Sequence, residues 1–190
     1  MVVKTGRFGQ LTVSDEEIIT VSQGLLGFPE YTRFCLVDSG DDTLILWLQS
    51  LENPEIAFPL LEPKIFKPDY TVRLSAFELR DLRLNNINQS AVFSVLTVPE
   101  EMTQMTANIK APLVINLKEQ LARQVVLQEN EYSVKHPMFK ELRTHLLTME
   151  AQRGRNSDSH RAQAPDQAGV LGAPILIRDI PPSLTVRSLV

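Results

Sequence analysis

Cysteine is almost absent from this sequence: Cys35 is the one thiol in 190 residues. An intrachain disulfide is therefore excluded, and the composition fits a reducing compartment. Cys35 lies in the apolar run Arg33-Phe34-Cys35-Leu36-Val37. With nothing nearby in sequence to lower its pKa, it reads as an inert buried thiol. Long apolar runs are missing too. None approaches the ~20 residues of a membrane span, and Met1-Val2-Val3-Lys4-Thr5-Gly6-Arg7 lacks the apolar stretch of a secretion signal. These absences predict a cytoplasmic protein with no membrane partner. Catalytic signatures are lacking as well. There is no Gly-Lys-Ser/Thr phosphate loop, no Gly-x-Gly-x-x-Gly turn and no Gly-x-Ser-x-Gly elbow. His136, His145 and His160 are not paired closely with Cys or carboxylates as zinc ligands are. Glu141 and His145, at i and i+4, read as a surface pair. Glu16-Glu17 and Glu100-Glu101 read as solvated turn acids. No metal, no cofactor and no enzymatic activity is expected.

What is present is an ordinary globular composition, 43% apolar, in a chain long enough for one domain with a real core. The net charge of −4 is unevenly placed: residues 1–150 carry 14 Lys/Arg against 20 Asp/Glu, and residues 151–190 carry 5 Arg against 3 Asp. An acidic body repels nucleic-acid phosphates and favours basic partners, which argues against direct RNA or DNA binding.

Short apolar or alternating runs recur every ten or so residues, with Gly, Pro, Asn or Asp between them: 9–13, 34–37, 44–48 and 91–98. Their β-branched and aromatic content predicts strands, and their spacing predicts a sandwich or barrel rather than βαβ units. Ser39-Gly40-Asp41-Asp42 reads as a turn. Prolines 54, 59, 63 and 68 predict an irregular or edge stretch. Ser75-Ala76-Phe77-Glu78 fits a capping box opening a short helix to about Leu82, with Phe77 and Leu82 inward. A second helix follows Pro137; Phe139, Leu142, Leu146 and Met149 recur at helical spacing. That stripe either packs on the sheet or offers a partner surface. The fold class expected is mainly β, a small antiparallel barrel-like domain with one or two short helices.

Three divisions follow: a β domain at 1–150, a disordered linker at 151–169 with almost no large apolar groups, and an apolar tail at 170–190. The tail is too short to fold alone. It docks back on its own domain, pairs with a sheet edge, or engages another protein.

Several runs leave two readings open. Gly24-Leu25-Leu26-Gly27-Phe28 is a structural turn or a docking loop. Pro68-Asp69-Tyr70 is an Asx-turn opening a strand, or an acceptor beside an amphipathic ring offered to a basic partner. In Met105-Thr106-Ala107-Asn108-Ile109-Lys110-Ala111-Pro112-Leu113-Val114-Ile115-Asn116, Thr106 and Asn108 either bond a neighbouring loop backbone and fix the entry to strand 113–116, or face a bound protein segment. Met102 and Met105 suit core filling or an adaptable docking surface.

These runs, with Tyr132-Ser133-Val134-Lys135-His136-Pro137 after them, stand in the order of the motifs of the flagellar assembly factor FliW family. Over roughly residues 4 to 138 the chain resembles that family. The resemblance implies a non-enzymatic regulator built on a small β-barrel-like domain. It implies two protein partners: flagellin, and the RNA-binding translational regulator CsrA. Export of flagellin would free the protein to occupy CsrA and relieve repression of flagellin synthesis, without contact to RNA. The alternative kept is a flagellin-binding chaperone or scaffold whose tail carries partner binding. Asp69, Tyr70, Met105, Thr106 and Asn108 are the candidate protein-binding residues. Two features depart from the family: Thr71 and Arg73 follow where an acidic residue is common, and the tail extends beyond the usual end.

Overall fold

The computed structural model describes residues 1–40, 44–157 and 185–187. The chain opens with a hairpin, β1 (Val2–Thr5) and β2 (Gly9–Thr12). Then come β3 (Ile19–Val21), β4 (Arg33–Asp38), β5 (Leu46–Ser50), β6 (Ala57–Leu61), β7 (Ala91–Thr97), β8 (Thr106–Asn116) and β9 (Leu121–Gln124). Strands β8-β7-β6-β5-β4-β3-β9 pair in that order, and β9 pairs back on β8, so seven strands close a barrel. The mainly β, barrel-like expectation holds. Strict antiparallelism does not: β3 and β9 run parallel. Closure joins an early strand to a late one, so this pair needs no hairpin between them. A two-residue β10 (His136–Pro137) adds to β8, and β11 (Thr185–Arg187) adds in parallel to β4.

Period-2 alternation sorts the side chains. Phe34, Leu36, Leu48, Leu60, Phe93, Leu113 and Ile115 fill the barrel. The residues between them face outward into two further cores. Cys35 and Val37 meet the β1–β2 hairpin through Val3, Phe8, Leu11 and Val13. Leu61, Leu96 and Val114 meet a cap made by residues 62–87 and 125–138, which contributes Phe66, Tyr70, Leu82, Tyr132 and Met138. Almost every strand is thus covered on both faces. This explains why so many runs read as continuously apolar rather than alternating.

Helix α1 (Ala76–Asp81) starts at the expected capping box: Ser75 Oγ accepts from the Glu78 amide, and the Glu78 carboxylate accepts from the Ser75 amide at 2.7 Å. Leu82 is buried as expected. Phe77 is not; it is 55% exposed, and the Arg123 guanidinium lies over its ring, 5.2 Å from the centroid. Helix α2 (Phe139–Ser157) continues past Glu150 into the stretch expected to be a linker; the rest of that linker lies outside the described residues, as does the tail apart from β11. At the start of its apolar stripe Leu142 joins the cap, whereas Leu146 is 43% exposed; the Met149 side chain lies outside what is described. The proline-rich middle also differs from expectation. Pro59 sits within β6, opposite Trp47 of β5, but the β6–β7 ladder begins only at Leu60. A proline therefore fits at the unladdered end of an interior strand.

Candidate protein-binding surface

Strand β8 holds a large irregularity. Its partner β7 steps from Phe93 to Val95 while β8 steps from Leu113 to Asn108, so residues 109–112 bulge out of the ladder. A bulge leaves amides and carbonyls without ladder partners, and buried ones must be satisfied elsewhere. The sequence runs singled out above supply several of those partners, and residues 124–127 supply others: the Val125 and Leu127 amides donate to the Pro112 and Lys110 carbonyls, both at 2.9 Å. Asn108 Oδ1 accepts from the Ala111 amide at 2.9 Å. The Tyr70 hydroxyl donates to the Ile109 carbonyl at 2.7 Å. The Ser133 carbonyl accepts from the Ile109 and Lys110 amides at 3.1 and 3.2 Å. Gln124 Nε2 donates to the Ala111 carbonyl at 3.0 Å, and Gln124 Oε1 accepts from the Leu26 amide at 2.9 Å. Three of the runs, far apart in sequence, therefore meet at one bulge, and the Gly24–Phe28 run reaches it through Gln124.

This fixes the setting of each candidate residue. Tyr70 is 1% exposed and tilts against Tyr132 at a ring separation of 4.8 Å. Its hydroxyl is not wet. Burial, then the nearby Tyr132 and Glu129, push its phenol above the ordinary range. Met105 is 2% exposed, and its carbonyl accepts from the Met138 amide. Asn108 is half-buried and bonds the bulge of its own strand rather than a neighbouring loop. Thr106 is half-buried, opposite Thr97 on one side and Pro137 on the other. Asp69 stands apart and exposed; Lys67 Nζ reaches its carboxylate at 3.0 Å and holds it below the usual carboxylate range. No Asx-turn opens a strand here. The Tyr70 amide donates to the Lys67 carbonyl instead, closing a main-chain turn. Met105, Thr106, Asn108 and Tyr70 come together; Asp69 borders them.

The apolar groups that do face solvent around the bulge are others. Leu26 (59% exposed) follows Leu25, which is buried. Val126 lies just past Gln124, and Val134 (59% exposed) follows Ser133. Leu26 rims a cleft of about 170 Å³ between the Gly24–Pro29 loop and β9, with Arg123 on its far wall. That loop is fixed by glycine: Gly24 has φ +62°, and a Cβ there would lie 2.7 Å from Pro29 Cα. Phe28 tucks inward, edge-to-face on Phe58 at 5.1 Å. Leu26 and Val134 each lie within a run singled out by sequence, whereas Val126 lies outside all of them and had no such signal. Leu26, Val126 and Val134 thus leave aliphatic groups exposed beside a hydrogen-bonded frame. Among the described residues, no three His, Cys, Asp or Glu side chains are grouped to hold a metal ion.

The FliW protein family model matches residues 2–138, the same span that builds the barrel, bulge and cap. The chain belongs to the FliW family. The flagellar assembly factor FliW of Bdellovibrio bacteriovorus is 41% identical over 147 residues, covering 77% of this chain and 84% of that protein. That of Caldanaerobacter subterraneus is 35% identical over 144 residues, covering 75% of this chain and 96% of that protein. A crystal structure of the flagellar assembly factor FliW superposes with a TM-score of 0.69 at 32% identity, covering 73% of this chain and 97% of that one. The matched span thus contains the bulged strand and the groups that bond it. Among the described residues, no helix is long and apolar enough to cross a membrane.

Proposed function

We propose that this flagellar assembly factor is a non-enzymatic, cytoplasmic partner switch controlling flagellin supply. It binds flagellin; when flagellin is exported, the freed protein binds the RNA-binding translational regulator CsrA and relieves repression of flagellin synthesis. Family membership across residues 2–138 carries this reading. Charge supports it: an RNA-binding partner presents basic groups, and residues 1–150 carry 14 Lys/Arg against 20 Asp/Glu. Attraction at range would raise the association rate, while affinity would come from a few anchors. Leu26, Val126 and Val134, with Thr106, Asn108 and Asp69 beside them, are the anchors proposed. Tyr70 and Met105 would act by holding the frame.

Calorimetry with purified flagellin and CsrA, singly and in competition, tests the switch. Binding to both with mutual exclusion is the expected result. Binding to neither would leave the motifs with a purely structural role. Binding to flagellin alone would favour the second reading, a chaperone or scaffold whose tail carries partner binding. The seating of β11 on the barrel is the observation that keeps this second reading in play.

A further inference from the structure

Strand β4 is longer than its partner on one side. β3 pairs only with Arg33 and Phe34, leaving the same edge of β4 open from Leu36 to Asp38. That edge is taken by β11, which runs parallel with Thr185 opposite Leu36, Val186 opposite Val37 and Arg187 opposite Asp38. Val186 is 4% exposed and completes the outer core with Val3, Phe8, Leu11, Val13, Cys35 and Val37. The barrel and hairpin thus form a slot with two recognition elements: unladdered backbone groups, and an apolar floor on which Val186 packs. The FliW match ends at residue 138, and the relative from Caldanaerobacter subterraneus is 96% accounted for by a 144-residue match. The slot is built from residues inside the family region; the segment that fills it is not.

We propose that the Leu36–Asp38 edge is a strand-docking site for an extended protein segment, and that this chain's own Thr185–Arg187 is the segment holding it closed. The chemistry it accepts is that of the resident: an extended main chain carrying a β-branched aliphatic in register with Val37. Strand addition draws affinity from the main chain and specificity from the alternate side chain. A tethered resident acts at an effective concentration of about millimolar. A competing segment from elsewhere must therefore outbind it, so the tail sets a threshold on any partner that uses this edge. The site is distinct from the bulge surface and stands whether or not the partner switch does.

The sole thiol reports on the slot, since Cys35 lies beneath Val186 in the same core. In the full-length chain, Val186→Asp should speed Cys35 labelling by a thiol reagent at least tenfold, with Val186→Ala intermediate. A synthetic peptide of residues 183–189 should bind the Val186→Asp protein and slow labelling again. It should bind the wild type at least tenfold more weakly, and a peptide carrying V186D should bind neither. Unchanged labelling in both variants, or a wild-type peptide that fails to protect the Val186→Asp protein, would overturn the proposal. So would a wild-type dimer abolished by Val186→Asp, which would place the tail in a second copy. Circular dichroism separates all of these from unfolding.

Discussion

At Tyr70 one hydroxyl satisfies the Ile109 carbonyl that the β8 bulge has removed from its ladder. Tyr70→Phe keeps the ring and orphans that carbonyl, so urea denaturation should show a loss of about 1–3 kcal/mol. Cys35 offers a test in pH. Burial, then Glu17, push its thiol from 9.0 to about 12 in the folded protein. A folded-state pKa above the unfolded one means the native state holds its proton more tightly. That contribution is complete below pH 9 and is lost as pH rises toward 12. Stability should therefore fall between pH 9 and 10 at up to about 1.4 kcal/mol per pH unit from this group. Cys35→Ala should flatten that slope in chemical denaturation at the two pH values, even if it lowers overall stability. Tyr70, also raised, adds its own loss only above the ordinary phenol range.

At the scale of the element, α1 shows how local rules and tertiary demands share a helix. Its start is a capping box and its end a Schellman motif: the Leu84 amide donates to the Leu79 carbonyl at 2.8 Å and the Arg83 amide to Arg80 at 3.1 Å. The C′ position is Arg83, at φ 52°, a left-handed conformation that glycine takes freely. Its compensation is an exposed ion pair with Glu119 at 3.2 Å, of a kind that contributes little. Arg83→Gly should raise stability by about 0.5–1 kcal/mol, read as an increase in thermal midpoint. The capping box was legible in sequence because its partners are three residues apart. The place of Phe77 was not, because Arg123, which covers its ring, comes from a strand much later in the chain.

Over the whole molecule, the excess of acidic groups sits on the described barrel and cap. If CsrA is the partner, its association rate should fall steeply as salt is raised from 50 to 500 mM, while dissociation changes little (stopped-flow mixing). Leu26→Asp with Val134→Asp should weaken that complex at least tenfold at fixed salt without lowering the thermal midpoint much, since both side chains already face water. An unchanged affinity would move the contact elsewhere on the barrel.

The sequence by itself determined the class of fold: its strand runs, turn residues, first helix and motif order are all written within windows of a few residues, where propensity and periodicity act. The candidate residues were legible as a set but not in their setting. Nothing local distinguishes a tyrosine whose hydroxyl stays wet from one that caps a bulged carbonyl 39 residues away. Tertiary structure alone decided that three motif runs meet at one bulge and the fourth reaches it through Gln124, that Leu26 and Val134 rather than Tyr70 and Met105 face solvent, and that Thr185–Arg187 seats on β4. The physical reason is that an orphaned backbone group or an open strand edge exists only once the barrel has closed, and its partner is whichever residue closure brings within reach.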